Sequence, residues 1–207
     1  MIIQNKPYSE SCDQNREPIL AVIGPILRHR SSLLEIGSGT GQHAVFFAGH
    51  LPQIRWQASD RAESLSGIRM WLDDSNPGNV LDPLELDVCQ NHWPGQTYDA
   101  IFTANTLHIM GDDEMRCFFT GLARVVGPGA DILIYGPFNY QGQYTSDSNR
   151  QFDQWLKSRD RRSSIKNFED VCALAEEVGI SLVYDYAMPA NNRLLHLRCN
   201  TRIDALS

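Results

Sequence analysis

The sequence predicts an α/β protein built on a doubly wound sheet of seven strands, with helices on both faces. Two observations carry this prediction. From residue 33 onward, short β-rich runs alternate with amphipathic segments of helix length. A glycine-rich turn at residues 37–41 separates the first of these runs from the first amphipathic segment. We therefore expect a Rossmann-like sheet that is mostly parallel, with an antiparallel last strand.

The composition indicates the class of molecule. The 207 residues are 42% hydrophobic and 21% charged, which favours one globular domain over residues 1–207. No apolar run approaches the roughly 18 residues that a membrane-spanning helix needs. The first residues also lack the basic and then apolar pattern of a secretory signal. We expect a cytoplasmic protein that makes no membrane contact.

The charge balance bears on the partners. Acidic residues outnumber basic residues by 25 to 18, for a net charge of −7. Because nucleic-acid binding rewards a basic surface, no nucleic-acid partner is expected. A short basic cluster at residues 159–162 is interpreted as a solvated surface or as a contact for an anionic group of a substrate.

The cysteines are odd in number, widely spaced and without a C-x-x-C pair. This pattern indicates neither a disulfide framework nor a zinc site. We predict no metal, and buried free thiols at most of these positions. The five are Cys12, Cys89, Cys117, Cys172 and Cys199.

Local signals predict the first elements. A helix is expected over residues 17–27, with Pro18 in its first turn, where a missing N–H costs little. Pro25 is expected to bend or shorten this helix. The first strand covers residues 32–36, and helical spacing of apolar residues predicts a helix over 44–51.

The next two strands both end in aspartate. Residues 54–59 form a β-rich run that ends at Asp60, and residues 81–86 form one that ends at Asp87. The amphipathic segment 65–72 is the predicted crossover helix between them.

The middle of the chain repeats this alternation. The fourth strand, residues 98–104, leads into Asn105, and a helix over residues 112–126 follows, with Asp112 as a candidate cap. The glycine–proline–glycine run after that helix is expected to end it. The fifth strand then covers residues 131–135.

Residues 136–166 are predicted to form a polar loop, and long ordered loops often close over a ligand. The side chains of this loop are candidates for binding a substrate. They are Tyr140, Tyr144, Ser146, Asn149 and Asp153, with Phe138, Phe152 and Trp155 as further aromatic walls. An alternative stays open, because the spacing of Phe152, Trp155 and Leu156 fits an amphipathic helix packed on the core equally well.

The last part of the chain completes the sheet. Asn167 is the predicted N-cap of a helix whose C′ residue is Gly179. Two β-rich runs follow, at residues 181–186 and 194–197, and bring the number of strands to seven.

The glycine turn is the most informative motif. Glycine lets backbone N–H groups and a helix N-terminus approach a ligand closely. The dinucleotide fingerprint G-x-G-x-x-G fails here, because from Gly37 its third glycine position falls on Gln42. A nicotinamide oxidoreductase is therefore disfavoured.

The run EIGSGTG at residues 35–41 instead resembles motif I of the class I S-adenosylmethionine-dependent methyltransferases. Asp60 lies 23 residues after Gly37, near the offset of roughly 20 residues at which a carboxylate accepts hydrogen bonds from ribose hydroxyls. The resemblance implies that Asp87 reads the adenine amino group, that Val88 packs on the adenine ring, and that Asn105 lies near the methionine portion. The predicted cofactor-binding residues are Arg16, Glu35, Gly37, Ser38, Gly39, Asp60, Asp87, Val88 and Asn105.

Five further segments narrow the resemblance to the methyltransferase-like protein 26 family, which is also catalogued as a domain of unknown function. They are DQNREPIL at 13–20, GPFNY at 136–140, YTS at 144–146, SNRQFD at 148–153 and MPANN at 188–192. The likeness spans essentially the whole chain. It implies the enzyme class but no acceptor.

The segment after Asn105 bears on the acceptor. It lacks the Asn/Asp-Pro-Pro-Tyr/Phe motif of enzymes that methylate nucleobases or glutamine. It is similar to small-molecule methyltransferases, in which a histidine often stands near His108. That histidine is a candidate general base for an acceptor hydroxyl, or it simply lines the pocket.

The N-terminal segment 1–32 is expected to cover the cofactor. Arg16 is a planar donor that can pair with the cofactor carboxylate, and an exposed arginine at a helix start is the alternative. The sequence thus predicts an S-adenosylmethionine-dependent methyltransferase acting on a small molecule, as a monomer or homodimer. The alternative is an S-adenosylmethionine-binding sensor or scaffold that transfers no methyl group.

Overall fold

The computed structural model describes residues 6–75 and 77–200. The expected alternation of strands and helices is present. In chain order the elements are α1 (Glu10–Leu27), β1 (Ser32–Ile36), α2 (Gln42–His50), β2 (Arg55–Asp60), α3 (Ala62–Ser75), β3 (Val80–Glu85), β4 (Tyr98–Ala104), α4 (Asp112–Val125), β5 (Val126–Gly136), β6 (Phe138–Asn139), α5 (Asp147–Arg159), β7 (Lys166–Asn167), α6 (Phe168–Glu177), β8 (Ile180–Ala187) and β9 (Arg193–Cys199).

The main sheet has seven strands in the order β3-β2-β1-β4-β5-β9-β8. Strands β1, β2 and β3 pair in parallel, as do β4 and β5. Strand β9 is antiparallel to both β5 and β8. The prediction of a mostly parallel, Rossmann-like sheet with an antiparallel last strand is therefore confirmed. A separate pair, β6 with β7, lies outside this sheet.

The chain divides into two compact units, one ending at Asp87 and the other beginning at Val88. In the first unit, β1 and β2 bury Leu33, Leu34 and Trp56. Phe47 of α2 packs against Trp56 of β2, and α1, which packs on α2, adds fully buried side chains such as Ile23. The single domain expected for residues 1–207 stays a prediction.

The second unit has its own apolar core. Phe102 of β4, Ile132 of β5 and Leu195 of β9 are fully buried, as are Phe118 of α4 and Val171 of α6. A buried Leu, Ile or Phe side chain contributes about 1.5–3 kcal/mol to the free energy of unfolding. This interior therefore stabilises β4, which Asn105 directly follows.

Helix α1 begins at Glu10 rather than at the predicted residue 17, so Pro18 and Pro25 both lie inside it. The buried positions Asn15, Ile19 and Ile23 recur every four residues and form one face. Burial of this face outweighs the backbone hydrogen bonds that the two prolines remove. Residues 1–5 of the predicted covering segment lie outside the described residues.

The prediction of one polar loop over residues 136–166 is wrong. Strand β6 occupies Phe138–Asn139, helix α5 occupies Asp147–Arg159 with Ser146 as its N-cap, and residue 166 begins β7. The alternative of an amphipathic helix is confirmed, since α5 buries Asn149, Asp153 and Leu156. The side chain of Trp155 stays half exposed.

The cysteine prediction is wrong for one pair, and of the free thiols only Cys199 is buried, while Cys12 and Cys172 are half buried. Cys89 and Cys117 form a disulfide, whereas Cys12, Cys172 and Cys199 are free. The partners are 28 residues apart in the chain, and only the packing of one segment on α4 brings them together. Spacing alone carries no signal for such a pair.

Smaller differences concern boundaries. The N-cap of α4 is Gly111 rather than Asp112, and the run of glycine and proline after α4 begins β5 instead of a turn. Asn167 and Gly179 do border α6 as predicted, with Gly179 at a positive φ of 75°. Within the described residues, no helix has the length and apolar character required to cross a membrane.

Candidate functional site

The glycine turn folds back onto the end of β2. The N–H groups of Gly37 and Ser38 both donate to the carbonyl of Ser59, each at 3.0 Å. Gly37, Gly39 and Gly41 have positive φ angles of 73°, 57° and 91°, a region that side chains disfavour. A Cβ on Gly39 would meet no other atom within 4 Å, so the turn has open space at that position.

Asp60 is held beside this open position. The N–H of Gly39 donates to Asp60 Oδ2 at 2.7 Å, and the N–H of Arg61 donates to Oδ1 at 2.7 Å. Each carboxylate oxygen can accept a further hydrogen bond. The turn therefore fixes a carboxylate next to a space that a ribose can occupy, which fits a nucleoside cofactor.

Glu35 and Ser38 support the turn from inside. Glu35 is buried, and its Oε2 accepts a hydrogen bond of 2.8 Å from the indole of Trp56. Burial raises the pKa of Glu35 to about 7, against the opposing effect of hydrogen bonds from Trp56 and Ser38. Ser38 Oγ accepts from the N–H of Ser59 at 3.1 Å. Direct cofactor contact by these two side chains stays a prediction.

The start of α1 is tied to the start of α2 through Gln42, which the sequence did not single out. Gln42 Oε1 accepts from the N–H of Ser9 at 2.6 Å and from Thr40 Oγ1 at 3.0 Å. Gln42 Nε2 donates back to the carbonyl of Ser9. This places the residues before α1 against the glycine turn. A polar residue directly after the third glycine was the available signal.

Arg16 lies on this part of α1. It donates to Asp13 Oδ1 at 2.7 Å and lies 4.7 Å above the ring of Phe46. Its Nε is buried without a hydrogen-bond partner among the described residues, so this guanidinium still has a donor to offer. Its pairing with a cofactor carboxylate stays a prediction.

The strand ends carry the other predicted residues. Asp87 and Val88 follow β3 and are half buried. Asn105 follows β4 with a φ of 59°, a strained backbone that asparagine tolerates better than most residues. A Cβ on Gly136 would lie 4.0 Å from Asn105 Oδ1 and 3.8 Å from His108 Nδ1. Asn105 and His108 are thus brought together at the end of β5.

His108 is buried, and its ring packs edge-on against Phe152 at 5.1 Å. Burial, with a smaller effect of the Lys166 charge, lowers the pKa of His108 to about 4. The imidazole is therefore neutral at pH 7. Lys166 is itself buried and donates to Asp112 Oδ1 at 3.1 Å, a contact that the sequence did not indicate.

Four of the predicted acceptor residues, Tyr140, Tyr144, Ser146 and Asn149, have hydrogen-bond partners within the protein. Tyr140 donates to Asp185 Oδ2 at 2.6 Å, and Tyr144 donates to Asp153 Oδ2 at 2.7 Å. Ser146 Oγ caps α5, and Asn149 Nδ2 donates to Thr145 Oγ1 at 2.8 Å. These bonds position the side chains, and their contact with an acceptor stays a prediction.

Residues 6–199 match the family model described as "Protein of unknown function (DUF938)". The chain belongs to the DUF938 family. That description names no activity and no other family, so the likeness of this DUF938 protein to the methyltransferase-like protein 26 family stays a prediction.

Solved methyltransferases share the fold of this DUF938 protein. It resembles an O-methyltransferase family protein from Burkholderia thailandensis, with a TM-score of 0.82 at 15% identity over 93% of this chain and 58% of that one. It also resembles mitomycin 7-O-methyltransferase MmcR, with 0.81 at 16% over 91% and 54%. Human N-acetylserotonin methyltransferase in complex with SAM gives 0.78 at 16% over 93% and 53%. The chain spans just over half the length of each, and at 15–16% identity the likeness shows a shared fold.

Proposed function

We propose that this protein is an S-adenosylmethionine-dependent methyltransferase that acts on a small molecule. The observation that carries the proposal is the glycine turn, in which Gly39 leaves open space and donates to the Asp60 carboxylate. The turn holds this carboxylate in place, so its remaining lone pairs are ready for ribose hydroxyls. The methyltransferase fold supports the same assignment.

The proposed cofactor contacts follow from the chemistry of each residue. Asp60 accepts hydrogen bonds from the ribose, Asp87 accepts from the adenine amino group, and Val88 gives the ring an apolar surface. Asn105 and Arg16 bind the methionine end. When bound, S-adenosylmethionine supplies a methyl group that its sulfonium already activates. The protein then needs mainly to align the acceptor and exclude water.

His108 is the proposed proton acceptor for an acceptor hydroxyl. Its imidazole is neutral at pH 7, because the pKa is lowered to about 4, and a neutral ring nitrogen can accept a hydrogen bond. The same low pKa makes it a weak base, so positioning the hydroxyl is the larger part of its role. The net charge of −7 favours a small molecule over nucleic acid as the acceptor.

Calorimetry with S-adenosylmethionine and S-adenosylhomocysteine tests the proposal. We expect a dissociation constant well below 1 mM, which corresponds to roughly −4 kcal/mol. Asp60→Ala removes the ribose acceptor, and Gly39→Val fills the open space. Each is expected to weaken binding by at least about tenfold, or roughly 1.4 kcal/mol.

Two matched variants control for general damage. Asp82→Ala removes another aspartate of the same unit, which pairs with Arg69 on the surface. Gly78→Val changes a glycine with a φ of 74° and equally open surroundings. Both are expected to keep wild-type affinity. Wild-type affinity in Asp60→Ala and Gly39→Val would show that the cofactor binds elsewhere, and NADH binding without S-adenosylmethionine binding would point to an oxidoreductase.

One observation keeps the sensor or scaffold as a second candidate. The hydroxyls of Tyr140 and Tyr144 are already donated to Asp185 and Asp153. Incubation with tritiated S-adenosylmethionine and fractionated cell extract distinguishes a methyltransferase from a sensor or scaffold. A labelled small molecule supports the enzyme, whereas cofactor binding with no labelled product in any fraction supports the sensor.

A further inference from the structure

The segment 88–93, which connects β3 towards β4, is fastened to one face of α4. Cys117, Gly121 and Arg124 follow one another at helical spacing and therefore lie on one side of the helix. Cys89 forms the disulfide with Cys117. Two non-covalent attachments lie beside it.

Trp93 and Asn91 make these two attachments. The Trp93 ring fills the place where a Cβ on Gly121 would stand. Arg124 donates a hydrogen bond to Asn91 Oδ1. The indole of Trp93 also donates to the carbonyl of Val88 at 3.1 Å, which closes the segment on itself. The disulfide is the attachment next to Val88 and the only covalent one of the three.

The disulfide is accessible. Cys89 is exposed and Cys117 is half buried on α4. Both line a surface cavity of about 350 Å³, together with Arg116, Arg124 and Thr120. A thiol of the size of a small peptide can therefore reach the sulfur atoms.

The charges of the cavity favour an acidic thiol. The guanidinium groups of Arg116 and Arg124 carry permanent positive charge and bind carboxylates in bidentate geometry. Nearby cations also stabilise a thiolate, which is the leaving group of thiol–disulfide exchange. A small thiol that carries carboxylates thus matches both the cations and the sulfur.

We propose that the Cys89–Cys117 disulfide is a redox-active site that small acidic thiols open, and that opening releases segment 88–93 from α4. The second half rests on the proposed function, in which Val88 packs on the adenine of the cofactor. With the disulfide closed, the segment is held in place and the cofactor binds more tightly. With it open, the segment must be ordered during binding and affinity falls.

The exchange is balanced as follows. A thiolate attacks the exposed Cys89 Sγ, a new S–S bond forms, and the bond to Cys117 breaks and leaves the Cys117 thiolate. A second thiolate then attacks the external sulfur of this mixed disulfide. The products are the oxidised small thiol, a disulfide of two such molecules, and Cys89 as a thiolate. The protein gains two electrons, and the two small thiols supply them.

The first test measures the exchange directly. Protein purified without reductant is treated with reduced glutathione, quenched by alkylation and mapped by peptide mass spectrometry. We expect the disulfide at the start and glutathione on Cys89 as the intermediate. Absence of the disulfide from this protein, or addition to Cys117 in place of Cys89, overturns the proposal.

The second test addresses the preference for acidic thiols. Exchange rates per thiolate are compared for glutathione and the neutral 2-mercaptoethanol. The double variant Arg116→Gln, Arg124→Gln is expected to slow the glutathione reaction at least about threefold more than the 2-mercaptoethanol reaction, because stabilisation of the leaving thiolate is lost for both thiols while carboxylate binding is lost for glutathione alone. Arg150→Gln removes a surface arginine of α5 and serves as the control. Equal slowing of both thiols contradicts the proposed charge recognition.

The third test measures the effect on the cofactor. The dissociation constant for S-adenosylhomocysteine is expected to rise roughly fivefold or more when the wild-type protein is reduced. Cys117→Ser should bind like the reduced protein under both conditions, while Cys172→Ser should respond like the wild type. Equal affinity of the oxidised and reduced wild-type protein overturns the link to Val88.

Failure of the two proposals can be told apart. If S-adenosylhomocysteine binds to neither redox form, the proposed function and the effect on Val88 both fail, while exchange at Cys89 is judged by mass spectrometry alone. If S-adenosylhomocysteine binds and the disulfide is not found, the redox site fails and the proposed function stands.

Discussion

Glu35 combines full burial with an acidic group next to the glycine turn. Burial raises its pKa to about 7, although Trp56 and Ser38 both donate hydrogen bonds to it. Near neutral pH the carboxyl group changes between its neutral and charged forms inside the protein. The stability of the turn therefore depends on pH through a residue that water does not reach.

We expect Glu35→Gln to change the pH dependence of stability. In the unfolded chain Glu35 ionises near pH 4.5, while in the folded protein it ionises near 7. The contribution of the Glu35 carboxyl group to the free energy of unfolding is therefore complete below pH 4.5 and is lost as the pH rises to 7. As the pH rises through this window, the free energy of unfolding of the variant should increase by about 3 kcal/mol relative to that of the wild type.

Urea unfolding between pH 4 and 8 measures this difference. Glu63→Gln is the matched control, since Glu63 is exposed and pairs with Arg61 on the surface. Its difference from wild type should not vary with pH. A constant difference for Glu35→Gln as well would show that folding does not raise the pKa of Glu35.

Two of the buried histidines, His43 and His108, should titrate far below the usual histidine range. Burial lowers the pKa of both His43 and His108 to about 4. These folded-state pKa values lie below the unfolded value near 6.5. The contribution of the two histidines to the free energy of unfolding is therefore present above pH 6.5 and is lost as the pH falls towards 4. Ring-proton NMR titration of His43 and His108 checks this expectation. A His108 midpoint above pH 6 contradicts it.

At the scale of elements, α5 is held by one buried carboxylate. Asp153 accepts from Tyr144 at 2.7 Å, from Lys157 at 2.6 Å, and from the N–H of Ile165 at 2.8 Å. Burial by itself raises the pKa of Asp153, but the donors, with Lys157 the strongest, lower it overall. The Asp153 side chain thus connects Tyr144, Lys157 and Ile165. All of them lie in the stretch that the sequence predicted as one polar loop.

Asp153→Asn is expected to lower the free energy of unfolding by about 1–3 kcal/mol, because an amide can no longer satisfy all three donors. Asp147→Asn on the same helix removes an exposed carboxylate paired with Arg150 and should cost less than about 0.5 kcal/mol. Chemical denaturation of both variants measures the difference. Equal stability of the two would mean that Asp153 does not anchor α5.

The packing of Trp93 on α4 gives a second prediction for an element. Gly121→Ala places a methyl group inside the volume of the Trp93 ring, so the ring must move. Although alanine favours a helix over glycine by about 1 kcal/mol, we expect a net loss of about 1–2 kcal/mol from the displaced ring. Thermal unfolding together with tryptophan fluorescence measures both effects. A stabilised variant with unchanged fluorescence contradicts the expectation.

At the scale of the whole molecule, the net charge of −7 predicts weak interaction with nucleic acids. Fluorescence anisotropy with a labelled DNA duplex at low and at physiological salt should show no binding at micromolar protein. Micromolar affinity that weakens steeply with salt would contradict this expectation. Light scattering of the same samples tests the proposed monomer or homodimer.

The sequence by itself determined the order of the seven main-sheet strands and of every helix but α5, the glycine turn, and the aspartate that follows the second strand. These features depend on short-range periodicity and on backbone angles that few residues adopt, so they can be predicted locally. Asp60 beside Gly39 is the clearest case, since both belong to one strand–turn–helix unit and its neighbouring strand. The candidate cofactor residues therefore came largely from the sequence.

Only the tertiary structure decided which distant side chains meet. Three contacts join residues that share no local sequence pattern. They are the Cys89–Cys117 disulfide, the hydrogen bond from Ser9 to Gln42, and the hydrogen bond from Tyr144 to the Asp153 carboxylate. The tertiary structure also decided the early start of α1, because burial of one face of this helix outweighs the local effect of its two prolines. Such contacts are chosen by the packing of the whole chain, since burial and hydrogen bonding depend on distances in space that separation along the sequence does not determine.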